Sequence, residues 1–445
     1  MTNKKSISII PLGCPKNDVD SELIAGAFKK AGYAVEWDNI KGETVVINTC
    51  GFVKDAIDES LDAILQSIKA KQEGLVKKVV VTGCLAQRFG EKLSSQLKEV
   101  DLFVGVSGFE NIPSLLNHRQ KKEFIQKTPF TAYPEKLERV AYRNTYSAYM
   151  KISDGCNNRC SYCVIPLIKG KMISRQRKDI IDEAKALADR GAVELNLIAQ
   201  DTMNFGIDRG QKELISLLAE LEKIDALKWI RLNYLYPSHI TDDFLSFVSD
   251  SEKIVKYFDM PIQHISGRIL KLMNRSTSPD DIKKIVKRVA KHIREPFFRT
   301  TVIVGFPGET GDDFKELLAF FDEYAFHRIG VFPYSNEQPA PASRLKDIVP
   351  GELILERLNR MNEIAHKIMN EASAGFIGKI YDALIEGTDP SDPSVTLARP
   401  WFFAPEIDGY IMLYGSGRPA KGKFRKVRIT DAVGVDLTGE FVERV

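Results

Sequence analysis

Three cysteines stand within eight residues in the stretch Lys151-Ile-Ser-Asp-Gly-Cys-Asn-Asn-Arg-Cys-Ser-Tyr-Cys-Val-Ile-Pro166, at Cys156, Cys160 and Cys163. Three thiolates on so short a loop suit a metal. A structural zinc site closes its tetrahedron with a fourth ligand, usually at a paired spacing, and no fourth Cys or His stands nearby. Thiolates also hold iron–sulfur clusters, where four Cys normally serve four irons, so three would leave one iron open to a non-protein ligand and to chemistry. The bland alternatives are a zinc knuckle or a group of free thiols packed as small hydrophobes. The other three cysteines, Cys14, Cys50 and Cys84, lie 36 and 34 residues apart, so only the fold can gather them. Each ends a short β-branched run: Ser6-Ile-Ser-Ile-Ile-Pro-Leu-Gly-Cys14, Glu43-Thr-Val-Val-Ile-Asn-Thr-Cys50 and Lys78-Val-Val-Val-Thr-Gly-Cys84. Their place at loop starts favours a second three-cysteine site over three buried core cysteines. Two such sites use all six cysteines of the chain.

The elements that must position these residues follow from periodicity. In the first ~135 residues the three runs alternate with helical patterns at Ser21 to Ala31, Lys54 to Ala70 and Ala86 to Lys98, which argues a doubly wound parallel sheet. Ligands of such sheets bind beyond the carboxyl ends of the strands, where the three cysteines fall. From residue 142 to 370 the candidate strands are Ala148–Ile152, Glu194–Ala199, Trp229–Tyr234, Tyr257–Pro261, Arg299–Val304 and Arg328–Phe332, with amphipathic helices such as Lys178–Arg190 and Asp280–His292 between them. Six βα units suggest a partial, open (β/α)6 barrel, whose active site would lie at the strand C-termini. The cysteine loop, Gln200-Asp201, Gln263-His264 and Gly305-Phe-Pro-Gly308 all fall there. Each of these also has a plainer reading, as a helix cap, a structural histidine or an ordinary βα turn. Glu352 to Glu371 reads as a long helix leading out of the barrel. Past Gly375 short strands at Ile380–Glu386, Tyr410–Leu413 and Lys426–Ile429 suggest a third unit, 375–445, a small five-stranded antiparallel β-barrel of the OB type. Lys421-Gly-Lys-Phe-Arg-Lys-Val-Arg428 gives it a basic stripe around one aromatic. From Glu371 to Val445, however, nine Lys and Arg face eleven Asp and Glu, a net formal charge of −2, whereas a domain gripping RNA is more often clearly basic.

With 445 residues, 44% hydrophobic and 28% charged, the chain is long enough for about three domains and has the composition of a globular protein. No apolar run approaches the ~20 residues of a membrane helix. The start reads as a first strand rather than an export signal, which predicts a reducing, cytoplasmic setting where cysteines serve as metal ligands rather than disulfides. A net charge of +3 neither requires nor excludes a nucleic-acid partner.

The C-x3-C-x2-C spacing with Tyr162 before the last Cys resembles the radical S-adenosylmethionine superfamily. With both triads placed, nearly the whole chain resembles the methylthiotransferase family within it. That family joins an N-terminal domain with three dispersed cysteines (here 1–135), a radical core (142–370) and a C-terminal TRAM domain (375–445). Leu12-Gly-Cys-Pro-Lys-Asn-Asp-Val-Asp-Ser-Glu22, Asn48-Thr-Cys-Gly-Phe52, Ala199-Gln-Asp-Thr202, Tyr234-Leu-Tyr-Pro237 and Arg399-Pro-Trp-Phe-Phe-Ala-Pro-Glu-Ile-Asp-Gly409 look like the branch acting on a ribosomal-protein aspartate. The tRNA branch usually has Gln, not Pro, after the first cysteine and Ser, not Gly, after the second. Ile173 stands where the family usually has Arg, and Pro339-Ala340 replaces the usual Gly-Thr.

The resemblance implies two four-iron four-sulfur clusters and S-adenosylmethionine as co-substrate. The cluster on Cys156, Cys160 and Cys163 would cleave S-adenosylmethionine to a 5′-deoxyadenosyl radical that takes hydrogen from the β-carbon of an aspartate of small-subunit ribosomal protein S-twelve. The cluster on Cys14, Cys50 and Cys84 would hold the sulfur to be transferred. Tyr162 would stack on the adenine, Gln200 and Gln263 would make polar contacts to the methionine or ribose, and Gly305 and Gly308 would allow close backbone approach. Expected partners are that ribosomal protein or the assembled small subunit, and an electron donor such as flavodoxin or ferredoxin, with the sulfur donor open and no membrane. The competing readings are the same chemistry on adenosine next to a tRNA anticodon, and a non-catalytic iron–sulfur carrier docking on the ribosome.

Overall fold

The computed structural model describes residues 5–116, 123–126, 138–415 and 419–442, so residue 135 and Val445, where the sequence reading ends its first and third units, lie outside it. The β-branched run Thr44–Thr49 is buried at every position, as a strand covered on both faces must be. It forms β3 of a parallel sheet with β1 (Ser6–Pro11), β2 (Ala34–Trp37), β4 (Lys78–Gly83), β5 (Leu102–Val104) and β6 (Glu123–Phe124), in the order β2-β1-β3-β4-β5-β6. Helices α1 (Pro15–Lys30), α2 (Lys54–Gln72) and α3 (Cys84–Gln96) follow β1, β3 and β4. The sequence reading omits β2, β5 and β6. These have four, three and two residues, too few to set a period, and β2 alternates exposed and half-buried positions at the sheet edge. Helix α1 starts at Pro15 rather than Ser21, because proline's fixed φ suits a first helical position.

All six expected barrel strands form: β7 (Ser147–Lys151), β10 (Glu194–Ile198), β11 (Trp229–Leu232), β12 (Tyr257–Asp259), β13 (Phe297–Val304) and β14 (Arg328–Pro333). Between β7 and β10 a short antiparallel pair, β8 (Ser153–Asp154) with β9 (Ile173–Ser174), brackets the cysteine loop. The parallel strands divide into two sheets, β11-β10-β7 and β12-β13-β14. At the division the main chain is linked by the single bridge Ile230–Ile254 and by Leu235 N donating to Asp259 O at 2.8 Å. Helices Arg177–Asp189 and Pro279–His292 cover the sheets, the second started by a reciprocal cap between Ser278 and Asp281.

Helix Gly351–Ala374 leads to a closed five-stranded barrel of β15 (Ile380–Thr388), β16 (Thr396–Pro400), β17 (Ile411–Leu413), β18 (Phe424–Val433) and β19 (Asp436–Phe441), antiparallel except for β17 with β19. Its apolar core continues into Trp229, Val255, Tyr257 and Phe297, residues at the starts of β11 to β13. A buried clamp fastens the same edge. Arg399 reaches Glu194, the first residue of β10, through both terminal nitrogens, and its Nε donates to Glu386 Oε1 at 2.9 Å. Arg231 Nη2 donates to Glu194 Oε1 at 3.1 Å and to Trp401 O at 2.7 Å. The five residues of β10 span about 16 Å. The C-terminal barrel therefore sits at the rim opposite the strand C-termini, where the cysteine loop lies.

Candidate active site

The N-terminal cysteines occupy three neighbouring strand ends. Cys14 is the N-cap of α1, Cys50 follows β3, and Cys84 is the first residue of α3. The chain order turns back between β1 and β3, the topological switch point where open α/β sheets bind their ligands. Side-chain amides hold the loops: Asn17 Nδ2 donates to Leu12 O (2.8 Å) and Thr49 O (3.1 Å), and Asn48 Nδ2 donates to Asn17 O and Ser21 Oγ, both at 2.9 Å. A Cβ on Gly51 would lie 2.7 Å from Leu85 N and 2.8 Å from Cys84 C, so glycine lets the Cys50 loop touch the Cys84 backbone. Burial, reinforced by the neighbouring Cys14, pushes the Cys50 thiol up to about 11. Burial pushes Cys84 up to about 12, against the pull of nearby Lys169.

The barrel triad is pinned by main chain. Cys156 N donates to Gly170 O (3.2 Å), Ser161 N to Met273 O (2.9 Å), Ala342 N to Ser161 O (2.8 Å) and Asn274 Nδ2 to Arg159 O (2.6 Å). Two donors point at sulfur: Ile165 N to Cys163 Sγ at 3.5 Å and Arg275 Nη1 to Cys160 Sγ at 3.8 Å. Burial raises Cys156 to about 11 and Cys163 to about 12, with the neighbouring thiols adding to both.

A buried quartet joins the two halves. Lys151 contacts Asp20 and donates to Asp154 Oδ2 at 2.8 Å; Lys169 reaches the same carboxylates at 3.2 and 3.3 Å. All four side chains are at most 7% exposed. Burial alone would raise the Asp154 carboxyl, but Lys151 and Lys169 hold it well below the usual carboxylate range. On the far side Arg88 of α3 donates to Glu337 Oε2 at 2.8 Å and to Gln338 O, closing the first domain onto the loop after β14. Ala340, one of the two unusual residues there, is buried against Cys84, Val164 and Ile168. Ile173, the other unusual position, pairs with Asp154 in the β8–β9 bracket.

The remaining expected residues divide. Gln200 enters the site, since its Nε2 donates to Asp154 Oδ1 at 2.6 Å and its Oε1 is buried without a partner. Asp201 accepts from Asn158 of the cysteine loop at 2.8 Å, and its Oδ1 is likewise unpartnered. Gln263 sits at φ 71°, its backbone bridging to β13. Tyr162 packs in an apolar cluster with Ile269, Met273 and Phe306. Gly305 and Gly308 have φ of 73° and 89°, and a Cβ on Gly305 would meet Ile354 at 2.5 Å, so packing against the long helix accounts for that glycine. His264 is fully buried, with Nδ1 accepting from Ser266 N at 3.0 Å, while its Nε2 has no hydrogen-bond partner and lies 3.6 Å from Glu309 Oε2. Sequence reasoning missed the quartet, Arg88 and Arg275. Asp20 and Asp154 lie inside motifs already quoted, but their partners lie as far as 149 residues away.

The donor sets suit iron–sulfur clusters. Cys14 and Cys84 stand at helix N-termini, whose positive end favours thiolate and cluster charge. The barrel thiols receive N–H donors.

Comparison with known proteins agrees. Residues 150–321 match the Radical SAM superfamily, residues 6–105 the Uncharacterized protein family UPF0004, and residues 377–442 the TRAM domain. The chain is similar to the ribosomal protein uS12 methylthiotransferase RimO of Bdellovibrio bacteriovorus, 41% identical over 448 residues and 98% of each chain. It is similar also to that of Caldicellulosiruptor saccharolyticus, 42% identical over 98% of this chain and 99% of the relative. Among solved structures, the radical S-adenosylmethionine methyltransferase TsrM of Kitasatospora setae shares the fold, with a TM-score of 0.58 at 13% identity over 83% of this chain and 90% of that one. Identity of this level along nearly the full length places the chain in the RimO family of ribosomal protein uS12 methylthiotransferases.

Proposed function

We propose that the chain inserts sulfur at the β-carbon of an aspartate of ribosomal protein uS12 and methylates it. In this reading Cys156, Cys160 and Cys163 hold one four-iron four-sulfur cluster and Cys14, Cys50 and Cys84 hold another. The observation that supports it most is the quartet of Asp20, Lys151, Asp154 and Lys169, which ties helix α1, behind Cys14, to the segments on either side of the Cys156–Cys163 loop. When bound, the clusters with S-adenosylmethionine supply radical access to an unactivated carbon and a sulfur to place on it, which acid–base groups alone do not provide.

The chain's own residues position and exclude. Gln200 Oε1 and Asp201 Oδ1 are acceptors for the ammonium or ribose hydroxyls of S-adenosylmethionine. Gln263 and Tyr162 are assigned to the same co-substrate, Tyr162 to its adenine. The apolar residues around Tyr162 keep water from the site. An external one-electron donor such as flavodoxin or ferredoxin completes the scheme. Among the described residues no helix is long and apolar enough to cross a membrane, and we place the chain in the cytoplasm with its ribosomal substrate.

The C-terminal barrel argues against tRNA as substrate. The stripe's aromatic, Phe424, is partly buried and packs at 81° to Trp229, centroids 4.7 Å apart, within the apolar core that joins the barrel to the radical core. Lys426 and Arg428 are paired with Asp382 and Glu440 at 3.5 and 3.6 Å. The test uses anaerobically reconstituted protein with S-adenosylmethionine, sulfide and dithionite, offered an aspartate-containing uS12 loop peptide and, separately, an anticodon stem-loop. Mass spectrometry is expected to find a methylthio group on the peptide alone. An adduct on the RNA alone overturns the substrate, and absence of 5′-deoxyadenosine reduces the chain to an iron–sulfur carrier.

A further inference from the structure

We infer that Lys16 recognises the side-chain carboxylate of the substrate aspartate. The inference rests on the uS12 reading above and adds the residue that selects the target side chain. Lys16 lies two residues after Cys14, in the first turn of α1, and its Nζ stands 3.7 Å from the centroid of the Tyr234 ring. Tyr234 belongs to the other half of the molecule, in the loop after β11 at the barrel mouth. That loop is fixed: Tyr234 is held at φ 61°, and its N–H donates to Asp259 Oδ2 at 3.0 Å. An ammonium from one domain thus lies over an aromatic face of the other, two residues from Cys14.

It has no carboxylate partner of its own among the described residues. Lysine is rarely enclosed without a carboxylate, yet Lys16 is partly buried and, among the described residues, forms no ion pair. Asp154 is close enough to act on it electrostatically, but that carboxylate is already shared by Lys151 and Lys169. The Tyr234 hydroxyl takes one of the ammonium's N–H donors and the Cys14 sulfur acts on it electrostatically, but no carboxylate is its own partner. The ring face orients the ammonium. Remaining donors, no carboxylate partner and a place on the seam beside Cys14 suit a ligand carboxylate, bound by charge-assisted hydrogen bonds. Lys16 and Tyr234 also lie in the two quoted stretches, Leu12 to Glu22 and Tyr234 to Pro237, and neither side chain has a task in the reading above.

The test compares uS12 loop peptides carrying Asp or Asn at the target position, on wild-type, Lys16→Met and Lys16→Arg holoenzymes. KM, kcat and peptide affinity by fluorescence anisotropy are read beside iron content. Wild type is expected to prefer the Asp peptide. Lys16→Met should raise KM for it roughly ten- to a hundredfold, as loss of a hydrogen bond to a charged group does, and erase the preference over Asn. Lys16→Arg should restore most of both. If Lys16→Met does not load its clusters, trace acylation of wild type with mass-spectrometric readout replaces it, and the Asp peptide, not the Asn peptide, should protect Lys16. Unchanged Asp/Asn discrimination, equal protection by both peptides, or an effect confined to the cluster spectrum overturns the inference. Wild type that modifies neither peptide instead overturns the uS12 reading itself.

Discussion

Replacing Arg399 by Met should loosen the C-terminal barrel from the radical core. Arg399 and Glu194 are both fully buried. Removing one member of a buried ion pair typically costs 3–5 kcal/mol, because the remaining charge keeps its desolvation penalty. Glu194 would retain Arg231 at 3.1 Å and Ser147 Oγ at 2.7 Å, which puts the loss at the lower end, about 3 kcal/mol. The displaced ionisation of Glu194 points the same way. Burial alone would raise the Glu194 carboxyl, but Arg399 and Arg231 hold it at about 2, against 4.5 in the open chain. A depressed folded-state value means that the stabilisation is complete above pH 4.5 and drains away as pH falls toward 2; the gap is worth on the order of 3 kcal/mol. Arg231→Met should cost less, since Arg231 Nε and Nη1 have no partners and removing them relieves a penalty. The assay is urea unfolding followed by tryptophan fluorescence in a Trp37→Phe background. Of the three tryptophans, Trp229 and Trp401 both belong to this interface. An Arg399→Met midpoint equal to that of the parent, or a greater loss for Arg231→Met, would refute the reasoning.

Three further outcomes are expected. Cys50→Ala and Cys156→Ala should each lower bound iron by about half after reconstitution, with reductive cleavage of S-adenosylmethionine persisting only in Cys50→Ala; equal loss in both would undo the division of labour between triads. Gly51→Ala drives a Cβ into the Cys84–Leu85 backbone, so overpacking of about 1–3 kcal/mol should show as a lower melting temperature and loss of the N-terminal cluster's absorbance, with the barrel cluster kept. Asp20→Asn leaves Lys151 and Lys169 sharing Asp154 alone, and should cost about 2–4 kcal/mol and speed limited proteolysis between the first domain and the barrel.

How far these features could be read from the sequence depended on their range along the chain. The crowding of Cys156, Cys160 and Cys163 is plain from spacing, and the place of Cys14, Cys50 and Cys84 at strand ends follows from the pattern, because a β-branched run and a following helix are local signals. All six barrel strands were legible for the same reason. Strands of two to four residues carry too little pattern, which hid β2, β5 and β6. Contacts between distant residues left no mark at all: Lys169 meets Asp20 across 149 positions, Arg88 meets Glu337 across 249, and Arg399 meets Glu194 across 205. The lysine stripe around Phe424 suggested nucleic acid only because the sequence does not say which way its aromatic ring faces. Gly305 was singled out for a ligand, whereas the long helix behind it already requires a residue without a Cβ.

The two triads differ in how much chain must be ordered before they exist. Cys156 to Cys163 is closed by a loop of eight residues, a small entropic step that a partly folded chain can take. Cys14, Cys50 and Cys84 span 71 residues and meet only when three parallel strands are in register, a non-local arrangement of the kind that forms late. Topology thus sets the two triads apart: the barrel cysteines come together within one loop, whereas the N-terminal three come together only in a completed first sheet.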